Sequence, residues 1–517
     1  MNAPGPKTSF AASAGTPYAA EAASEVFRAG GNAADAAVAA AAAVSVTEPL
    51  MSSVGGGGFA LVRVPGGGAE LVDYYDVMPG KGLPASAFGA GGNPQSVTLK
   101  YGAGVESIVG GAAVSVPGSL RGWEMVLGRH GRLGLAEALA PAVRLARDGF
   151  RLCRTSGLWF GVAEEVLRLT DESRRQFCKG DRVYREGEEM RFPELADTLQ
   201  AVGESGADLF YEGDLARKVS AYVLGMEGIL TERDLAEYRP VVREPMSVRY
   251  GPGQMYTNGP PSAGGPTLAQ MLRVVSAYDL ASMPGEEYVS VMAGAMRLAL
   301  EDRQARYLDG SENEGVAARL TGEEYAKAQR RRIFEGFGSP HTTHLSCVDA
   351  EGLAVSITAS MGYASGLVVP GTGIPLNNSL GEPELNPKGF HALEPGERLI
   401  SSMSPTVVSS AEGGIVALGS PGASRIPTAI LQTLINVLDF GMTVEDAVLA
   451  PRFHAEGDLF AFEAGSPPAD PERFGRMLPY EEPNMYFGGV NAVRLTTEGD
   501  FEAAADPRRS GGVSFAS

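Results

Sequence analysis

Small and apolar residues are concentrated in two adjoining segments near the beginning of the chain. Residues 20–29 are spaced as in a helix that stops at Gly30-Gly31. Asn32, followed three residues later by Asp35, is typical of a helix N-cap and its capping-box partner. The next segment, 33–46, consists almost entirely of alanine and valine, which predicts a second helix buried on most of its surface.

Beyond these helices, strand-like and helical segments are interspersed. Residues 59–64 and 71–75 alternate in polarity on either side of the turn Gly66-Gly67-Gly68, which predicts a β-hairpin. Further strands are predicted at 342–349, 354–360, 406–409 and 415–419. Further helices are predicted at 119–150, 193–240, 293–307, 323–332 and 427–440. This mixture, without an internal repeat, predicts a layered α/β fold.

The side-chain pattern of strands 342–349 and 354–360 restricts how they can pair. If the numbers of paired residues sum to 702, the apolar residues share one face and Thr342 lies opposite Ser360, whereas an odd sum mixes the two faces. A sum of 700 has the same parity and places Thr358 opposite Thr342. Either hairpin loop, of roughly three or five residues, is acceptable. In both, a hydroxyl of the second strand lies beside Thr342 or one diagonal step away.

Composition and charge exclude several classes of function. A chain of 517 residues would ordinarily form two to four domains, and a net charge of −19 argues against a nucleic-acid partner. The apolar run 33–46 is too short for a membrane span, and residues 1–7 lack the pattern of a secretory signal. Cys153, Cys178 and Cys347 are far apart and the five histidines are scattered. We therefore expect a cytoplasmic protein without a structural metal.

Thr342 is a candidate nucleophile, but a threonine hydroxyl needs a base to remove its proton. No local motif supplies a histidine–carboxylate pair, and the sequence has no Gly-x-Ser-x-Gly elbow. If the chain were cut before Thr342, the new α-amine would titrate at about pH 7.7–8.0 and could serve as the base. Residues 334–341 contain Gly and Pro without periodicity, as such a cut requires. On the hairpin pattern alone, an ordinary β-branched strand residue is the preferred interpretation of Thr342.

A series of short motifs extends from about residue 10 to the C-terminus. The first is Gly30-Gly31-Asn32-Ala33-Ala34-Asp35-Ala36, and the central one is Thr342-Thr343-His344-x-Ser346-x-Val348-Asp349. The others are Val116-Pro117-Gly118, Pro260-Pro261-Ser262-Ala263-Gly264-Gly265, Pro370-Gly371-Thr372-Gly373 with Leu376-Asn377-Asn378, Ser401-Ser402-Met403-Ser404-Pro405, Gly419-Ser420-Pro421-Gly422-Ala423-Ser424-Arg425, Ala450-Pro451-Arg452-Phe453-His454 and Asp506-Pro507-Arg508-Arg509. In content and order they resemble the γ-glutamyltranspeptidase family of N-terminal-nucleophile hydrolases, where the first threonine of the central motif is both nucleophile and processing site.

The resemblance implies a four-layer αββα sandwich, with two central sheets between helical layers. It implies cleavage between His341 and Thr342, so that 1–341 becomes a large subunit and 342–517 a small subunit of one fold. It also implies an acyl-enzyme on the Thr342 hydroxyl, released by water or by an amine acceptor. The partners implied are a small-molecule amide substrate and the two cleavage products as a heterodimer. No cofactor, metal, nucleic acid or membrane is implied, and a higher homo-oligomer remains open.

The resemblance also assigns roles to residues around the nucleophile. Ser360 matches a hydroxyl that orients the nucleophile, in agreement with the hairpin registers. Gly422 and Ala423 match paired glycines whose N–H groups form an oxyanion hole, and alanine retains the N–H. Ser401 and Ser402 match hydroxyls that hold the substrate carboxylate, although a strand end and turn would also explain them.

Several substrate-binding positions differ from the family pattern. The family's Arg-Glu pair, in which the arginine anchors the glutamate carboxylate, is replaced by Tyr75-Asp76, and a phenol cannot imitate a guanidinium clamp. The asparagine that contacts the substrate amine is replaced by Gly362 or deleted. Glu382 could be the acidic partner, although Gly381 competes for that position. These changes imply an acyl group whose acid is smaller, apolar or differently placed than that of a γ-glutamyl group.

Three interpretations follow from these motifs. The first is a self-cleaving amidohydrolase or acyltransferase of this family that acts on non-γ-glutamyl compounds. The second is a true γ-glutamyltransferase or glutathione hydrolase with a variant pocket, and the third is an unprocessed, catalytically silent relative that binds a small molecule. Arg425 and Arg452 are expected in structural ion pairs. The run 55–58 is unsuited to phosphate, because no lysine follows its glycines.

Overall fold

Two antiparallel β-sheets form the centre of the fold, seen in a computed structural model that describes residues 8–99, 105–303, 321–322, 342–422, 424–466 and 475–517. The first sheet contains β1 (Phe10–Ala14), β2 (Gly57–Arg63), β3 (Ala69–Asp73), β10 (Val241–Arg243), β13 (Thr343–Asp349), β14 (Ala354–Ser360) and β24 (Gly512–Ala516), in the order β10-β3-β2-β14-β13-β1-β24. The second contains β11 (Met246–Tyr250), β12 (Gly253–Thr257), β17 (Thr406–Ser410), β18 (Ile415–Gly419), β22 (Asn491–Leu495) and β23 (Phe501–Ala505), in that order.

Shorter strands lie outside the two central sheets. They are β4 (Gln95–Leu99), β5 (Val105–Val109), β6 (Phe150–Arg151), β7 (Cys178–Lys179), β8 (Arg182–Val183), β9 (Glu189–Met190), β15 (Val368–Val369), β16 (Ile374–Pro375), β19 (Phe453–Glu456), β20 (Leu459–Glu463) and β21 (Arg476–Tyr480). The α-helices of the described residues are α1 (Pro17–Arg28), α2 (Ala33–Thr47), α3 (Ser119–His130), α4 (Leu135–Asp148), α5 (Arg154–Val162), α6 (Glu164–Leu167), α7 (Asp171–Phe177), α8 (Pro193–Ser205), α9 (Asp208–Tyr211), α10 (Asp214–Gly225), α11 (Glu232–Glu237), α12 (Gly264–Val275), α13 (Gly285–Asp302), α14 (Arg425–Leu438) and α15 (Val444–Leu449).

The buried apolar residues form three groups that correspond to the spaces between four layers. One group joins helices α1 to α4 to the outer face of the first sheet, where Leu345 and Ile357 point. A second lies between the sheets and includes Phe59 and Val407. The third joins α12, α13, α14 and α15 to the second sheet. This arrangement is the αββα sandwich that the sequence resemblance implies, and it confirms the predicted fold class.

The first two helices show how local sequence fixes this architecture. The Asn32 side chain accepts hydrogen bonds from the N–H groups of Ala34 and Asp35, and the Asp35 carboxylate accepts one from the Asn32 N–H, so the predicted capping box is formed. Every residue of α2 is buried, because alanine and valine let the helix pack closely on all sides. Helix α2 therefore lies against β13 and β14 and ends beside the first of these strands.

Most predicted elements are confirmed, with shifts at their ends. The helix predicted at 293–307 begins eight residues earlier, at Gly285. Its first three residues are exposed and residues 288–292 are all buried, so this stretch lacks an amphipathic pattern. The predictions for 304–307, 323–332 and 334–341 lie outside the described residues.

Among the described residues, no helix combines the length and apolar character needed to cross a membrane. The same residues contain no group of three or more His, Cys, Asp or Glu side chains arranged to hold a metal ion.

Candidate active site

Strands β13 and β14 pair in the register that places Thr342 opposite Ser360. Thr343 pairs with Ala359 and His344 with Thr358, so the numbers of paired residues sum to 702. Thr342 precedes β13 by one residue, and continuing the register by one step brings it opposite Ser360. In the intact chain both residues are nearly enclosed, with 4% of Thr342 and 7% of Ser360 exposed.

The polar face of this strand pair is directed toward the second sheet. His344 bridges the strands, with Nδ1 2.9 Å from Thr358 Oγ1 and Nε2 2.9 Å from Ser346 Oγ. Burial lowers the pKa of His344 to about 3, so the ring is neutral and joins the hydroxyls without adding charge. A Cβ on Gly419 would overlap the His344 ring. Glycine at this position therefore lets the end of β18 approach β13.

Gly422 follows β18 in the loop that leads to helix α14. Its φ of +125° lies in a region that favours glycine, and its carbonyl accepts a hydrogen bond of 2.9 Å from the Arg425 N–H at the start of the helix. Within the described residues the Gly422 N–H donates no hydrogen bond, which leaves it available to a ligand oxygen. Ala423, predicted to supply the second N–H of an oxyanion hole, lies outside the described residues.

Ser401 and Ser402 are buried and held by different partners. Ser401 Oγ accepts a hydrogen bond from the Met403 N–H at 3.0 Å. Ser402 Oγ accepts one of 2.6 Å from Nη2 of Arg303, just after α13. Only 8% of Arg303 is exposed, and sequence analysis did not single it out. Its position at the polar end of a helix gave no signal of a contact with Ser402.

Asp76 lies close to Ser360, separated from it by the glycine of the neighbouring strand. Gly57 pairs with Ser360, and a Cβ on Gly57 would lie 2.6 Å from Asp76 Oδ1. The Ser379 hydroxyl donates a hydrogen bond to Oδ2, whereas Oδ1 is buried without a hydrogen-bond partner among the described residues. Burial raises the pKa of Asp76 to about 7, against the opposing effect of Ser379 and other hydrogen-bond donors. A carboxyl group with a buried, unsatisfied oxygen is typical of a ligand site.

Glu382 approaches the same serine from the other side. The Gly362 N–H donates a hydrogen bond of 3.1 Å to Ser360 Oγ, and a Cβ on Gly362 would overlap Oε1 of Glu382. This oxygen also lacks a hydrogen-bond partner among the described residues. Burial, and then the charges of Glu384 and Asp76, raise the pKa of Glu382 well above its usual range. The charges of the two carboxyl groups therefore act on each other close to Ser360.

Tyr75 is buried between the sheets. Its ring stacks on Phe59 with the ring centroids 5.4 Å apart. Burial, followed by the charges of Asp76 and Glu382, raises the pKa of Tyr75 well above 10. The phenol is therefore neutral and contributes no cation to the pocket.

Glu48, a further buried carboxyl group, lies on the opposite face of β13. The Thr343 hydroxyl donates a hydrogen bond of 2.8 Å to Glu48 Oε2. Burial raises the pKa of Glu48 to about 7, although the Thr343 hydrogen bond and the charge of Arg509 act in the other direction. Sequence analysis did not identify this residue either, because it follows the apolar helix α2 without a recognisable motif.

The two arginines assigned to structural roles make different contacts. Arg452 forms a buried ion pair of 2.7 Å with Asp506, as expected. Arg425 instead stacks over the Tyr486 ring at 4.7 Å from its centroid and donates a hydrogen bond of 3.1 Å to the Tyr486 carbonyl. Both arginines therefore hold the loops around α14.

A cavity of about 310 Å3 lies beside the segments that carry Glu382 and Ser401, but none of the predicted site residues lines it. Pro261, Asn386 and Ile400 are among its lining residues. The Asn386 side chain donates a hydrogen bond of 2.9 Å to the Glu382 carbonyl, and Ile400 directly precedes Ser401. The volume is in the range of small-molecule sites.

Comparison with known proteins shows similarity over nearly the whole chain. The family model described as Gamma-glutamyltranspeptidase matches residues 19–516. The glutathione hydrolase proenzyme of Escherichia coli (strain K12) is 31% identical, over 94% of this chain and 88% of its own length. The Acylase ACY 1 proenzyme of Pseudomonas sp. (strain SE83) is also 31% identical, over 96% of this chain and 91% of its own. Cephalosporin acylase from Bacillus halodurans, a solved structure, is 28% identical with a TM-score of 0.85, covering 99% of this chain and 98% of that chain.

Proposed function

Because the chain belongs to the γ-glutamyltranspeptidase family, whose members are hydrolases and acyltransferases, we propose that it cuts itself before Thr342 and uses Thr342 as the nucleophile. The observation that supports this proposal is the register of β13 and β14, which pairs Thr343 with Ala359 and, continued by one residue, sets Thr342 opposite Ser360. The segment containing Gly422 follows β18, whose last residue, Gly419, lies against His344 of β13.

The reaction follows from these groups. The new α-amine takes the proton from the Thr342 hydroxyl as the oxygen attacks the amide carbonyl. The Gly422 N–H stabilises the negative charge on the carbonyl oxygen. The C–N bond breaks, the amine leaves with the proton, and the acyl group remains on Thr342 as an ester. Water or a second amine then attacks the ester and restores the hydroxyl.

Cleavage before Thr342 can be tested without knowing the substrate. Purified protein should give two pieces of 341 and 176 residues, the second number being 517 minus 341. Intact-mass analysis should place Thr342 at the new N-terminus, and Thr342→Ala should remain uncut. Thr497→Ala, at an exposed threonine, serves as the control and should be cut normally. If Thr342→Ala were cut at the same bond, an external protease would be responsible, and a wild-type chain that stays whole would favour the silent relative.

We further propose that the acyl group is not γ-glutamyl. Tyr75 stands in place of the family's arginine and is neutral, while Asp76 and Glu382 each direct an unsatisfied carboxyl oxygen toward the surroundings of Ser360. The neighbouring guanidinium, that of Arg398, is engaged by Asp73 and the Tyr75 carbonyl. The two acids therefore disfavour a substrate carboxylate and favour an amine or a neutral group. Three p-nitroanilides separate the contributions of the substrate amine and carboxylate. The γ-glutamyl compound carries both groups, the glutaryl compound lacks the α-amine, and the 4-aminobutyryl compound lacks the α-carboxylate. We expect the 4-aminobutyryl compound to be cleaved fastest.

A true γ-glutamyl enzyme with a variant pocket is the second candidate. The contact of Arg303 with Ser402 favours it, because this guanidinium could bind a carboxylate from a different helix. If γ-glutamyl-p-nitroanilide were cleaved at least as fast as the other two compounds, the second candidate would replace the first.

We also propose that the two cleavage products remain associated as a heterodimer. Strands β13, β14 and β24 of the 342–517 part share the first sheet with β1, β2 and β3 of the 1–341 part, and the two sets alternate in it. Separating the products would break several rows of backbone hydrogen bonds. Gel filtration of processed protein should therefore show both pieces in one peak.

A cytoplasmic location remains part of the proposal. It is supported by three free cysteines, and cell fractionation tests it.

A further inference from the structure

Glu48 is buried directly behind the residue that follows the proposed nucleophile. It is the C-cap of α2, only 2% of it is exposed, and its Oε2 accepts the Thr343 hydroxyl at 2.8 Å. The site is shaped for this contact, since a Cβ on Gly15 would overlap Oε2 and lie 2.9 Å from Thr343 Oγ1. The carboxyl group thus occupies space that the absence of a side chain on Gly15 leaves open.

The contact bears on Thr342 through the geometry of the strand. Side chains alternate along β13, so Thr343 points toward the helices when Thr342 points toward the second sheet. Pairing with β14 fixes one side of the backbone at Thr343 and the hydrogen bond to Glu48 fixes its side chain. Standard bond lengths place the nitrogen of Thr342 within roughly 10 Å of the Glu48 carboxyl group. The new α-amine would therefore lie in the electrostatic range of this acid.

The charged and titratable groups that face Glu48 come from two further elements. Arg509, in the C-terminal part of the chain, lowers the pKa of Glu48 through its positive charge. It also contacts Met51 Sδ at 3.9 Å. The Cys153 thiol, at the start of α5, has a pKa raised first by burial and then by the charge of Glu48. Because burial outweighs the effects of Thr343 and Arg509, the pKa of Glu48 is about 7. The group therefore changes its charge close to neutral pH.

We propose that Glu48 is a positioning residue that acts on Thr342 through Thr343: its carboxyl group holds the start of β13, and its charge sets the lowest pH at which the α-amine works as a base. This inference rests on the proposed function of Thr342. An ionised carboxylate within roughly 10 Å stabilises the ammonium form, and at an effective dielectric constant of about 20 this amounts to a shift of about one pH unit. Removing the charge should therefore let the amine lose its proton at lower pH.

Three variants separate the charge of Glu48 from its hydrogen bond. Glu48→Gln keeps an acceptor for the Thr343 hydroxyl but removes the charge. Thr343→Val removes the hydroxyl and keeps the shape, whereas Thr343→Ser keeps the hydroxyl. Asp439→Asn is the matched control, because Asp439 also has a pKa raised by burial but lies beside Tyr250 of the second sheet.

The measurements are the rate of self-cleavage and the pH dependence of kcat/KM on whichever of the three p-nitroanilides the wild type cleaves fastest. For Glu48→Gln we expect the acid limb of the profile to move down by about one pH unit, with KM changed less than twofold. For Thr343→Val we expect self-cleavage and kcat to fall at least tenfold, and Thr343→Ser should restore both to within twofold of wild type. Asp439→Asn should leave the profile unchanged.

Two results would overturn the inference. One is a Glu48→Gln profile that coincides with the wild-type profile, and the other is normal cleavage and turnover by Thr343→Val. If Glu48→Gln does not fold, the two Thr343 variants still decide the positioning role. Thr342→Ala in the same series shows whether the role of Glu48 or the role of Thr342 has failed. If Thr342→Ala is cut or active, the proposed role of Thr342 is wrong, whatever the Glu48 variant shows.

Discussion

Replacing Asp76 by asparagine should stabilise the fold at alkaline pH and at the same time lower activity. The carboxyl group of Asp76 is fully buried, and one of its oxygens has no hydrogen-bond partner among the described residues. A neutral amide of similar shape can accept the Ser379 hydrogen bond through its oxygen without carrying a buried charge. A residue that is costly to the fold but useful to the pocket is expected where binding has shaped the site.

The magnitude follows from the difference between the folded and unfolded pKa of Asp76. Burial raises the pKa from 3.8 to about 7, so the folded state binds the proton more tightly than the unfolded state. The stabilisation from this proton is complete below about pH 4 and is lost as the pH rises through 7. At about 1.36 kcal/mol per pKa unit, ionisation costs on the order of 4 kcal/mol well above pH 7. Asp76→Asn should regain most of this at pH 8.5 and only about 1 kcal/mol of it at pH 4.5.

The assay is urea unfolding of the Thr342→Ala chain, with and without Asp76→Asn, followed by fluorescence of the buried Trp123 and Trp159. Working with the uncut chain keeps association of the subunits out of the measurement. Asp500→Asn, at an exposed position, is the control. An equal difference in unfolding free energy at pH 4.5 and 8.5 would refute the argument, because a buried charge must act through pH. In the processed enzyme, Asp76→Asn should reduce kcat/KM for the 4-aminobutyryl compound.

Three further variants test packing and charge around the site. Gly419→Ala should place a methyl group against the His344 ring, cost about 1–3 kcal/mol by overpacking and slow self-cleavage, as seen by electrophoresis over time. Arg452→Met should leave Asp506 without its ion pair of 2.7 Å and lower the urea unfolding free energy by about 3–5 kcal/mol, whereas a change below about 1 kcal/mol would contradict a structural role. Arg303→Met should raise KM for acyl groups that carry a carboxylate and leave KM for the 4-aminobutyryl compound unchanged.

The elements that sequence analysis located correctly depend on local signals. The N-cap at Asn32 and the apolar composition of α2 are properties of neighbouring residues, and both are observed. For the β13–β14 hairpin, alternation restricted the register to sums of one parity but left 702 and 700 open. The loop decides between them: the Asp349 carboxylate accepts hydrogen bonds from the N–H groups of Glu351 at 3.0 Å and Leu353 at 3.1 Å. These bonds hold the turn between the strands, and the hydrogen bond of 3.1 Å from the Asp349 N–H to the Leu353 carbonyl continues the register of 702.

The contacts that sequence analysis missed join residues far apart in the chain. Glu48 and Thr343 are separated by 295 positions, and Arg303 and Ser402 by 99. Glu48 and Arg303 each follow the end of a helix, where charged residues are common and usually exposed to solvent. The burial of each depends on which strand end the fold brings beside it, and no local pattern carries that information. Motifs could therefore nominate Thr342 and Ser360 as candidates, whereas Glu48 and Arg303 emerge only once α2, α13 and the β13–β14 pair have been packed together.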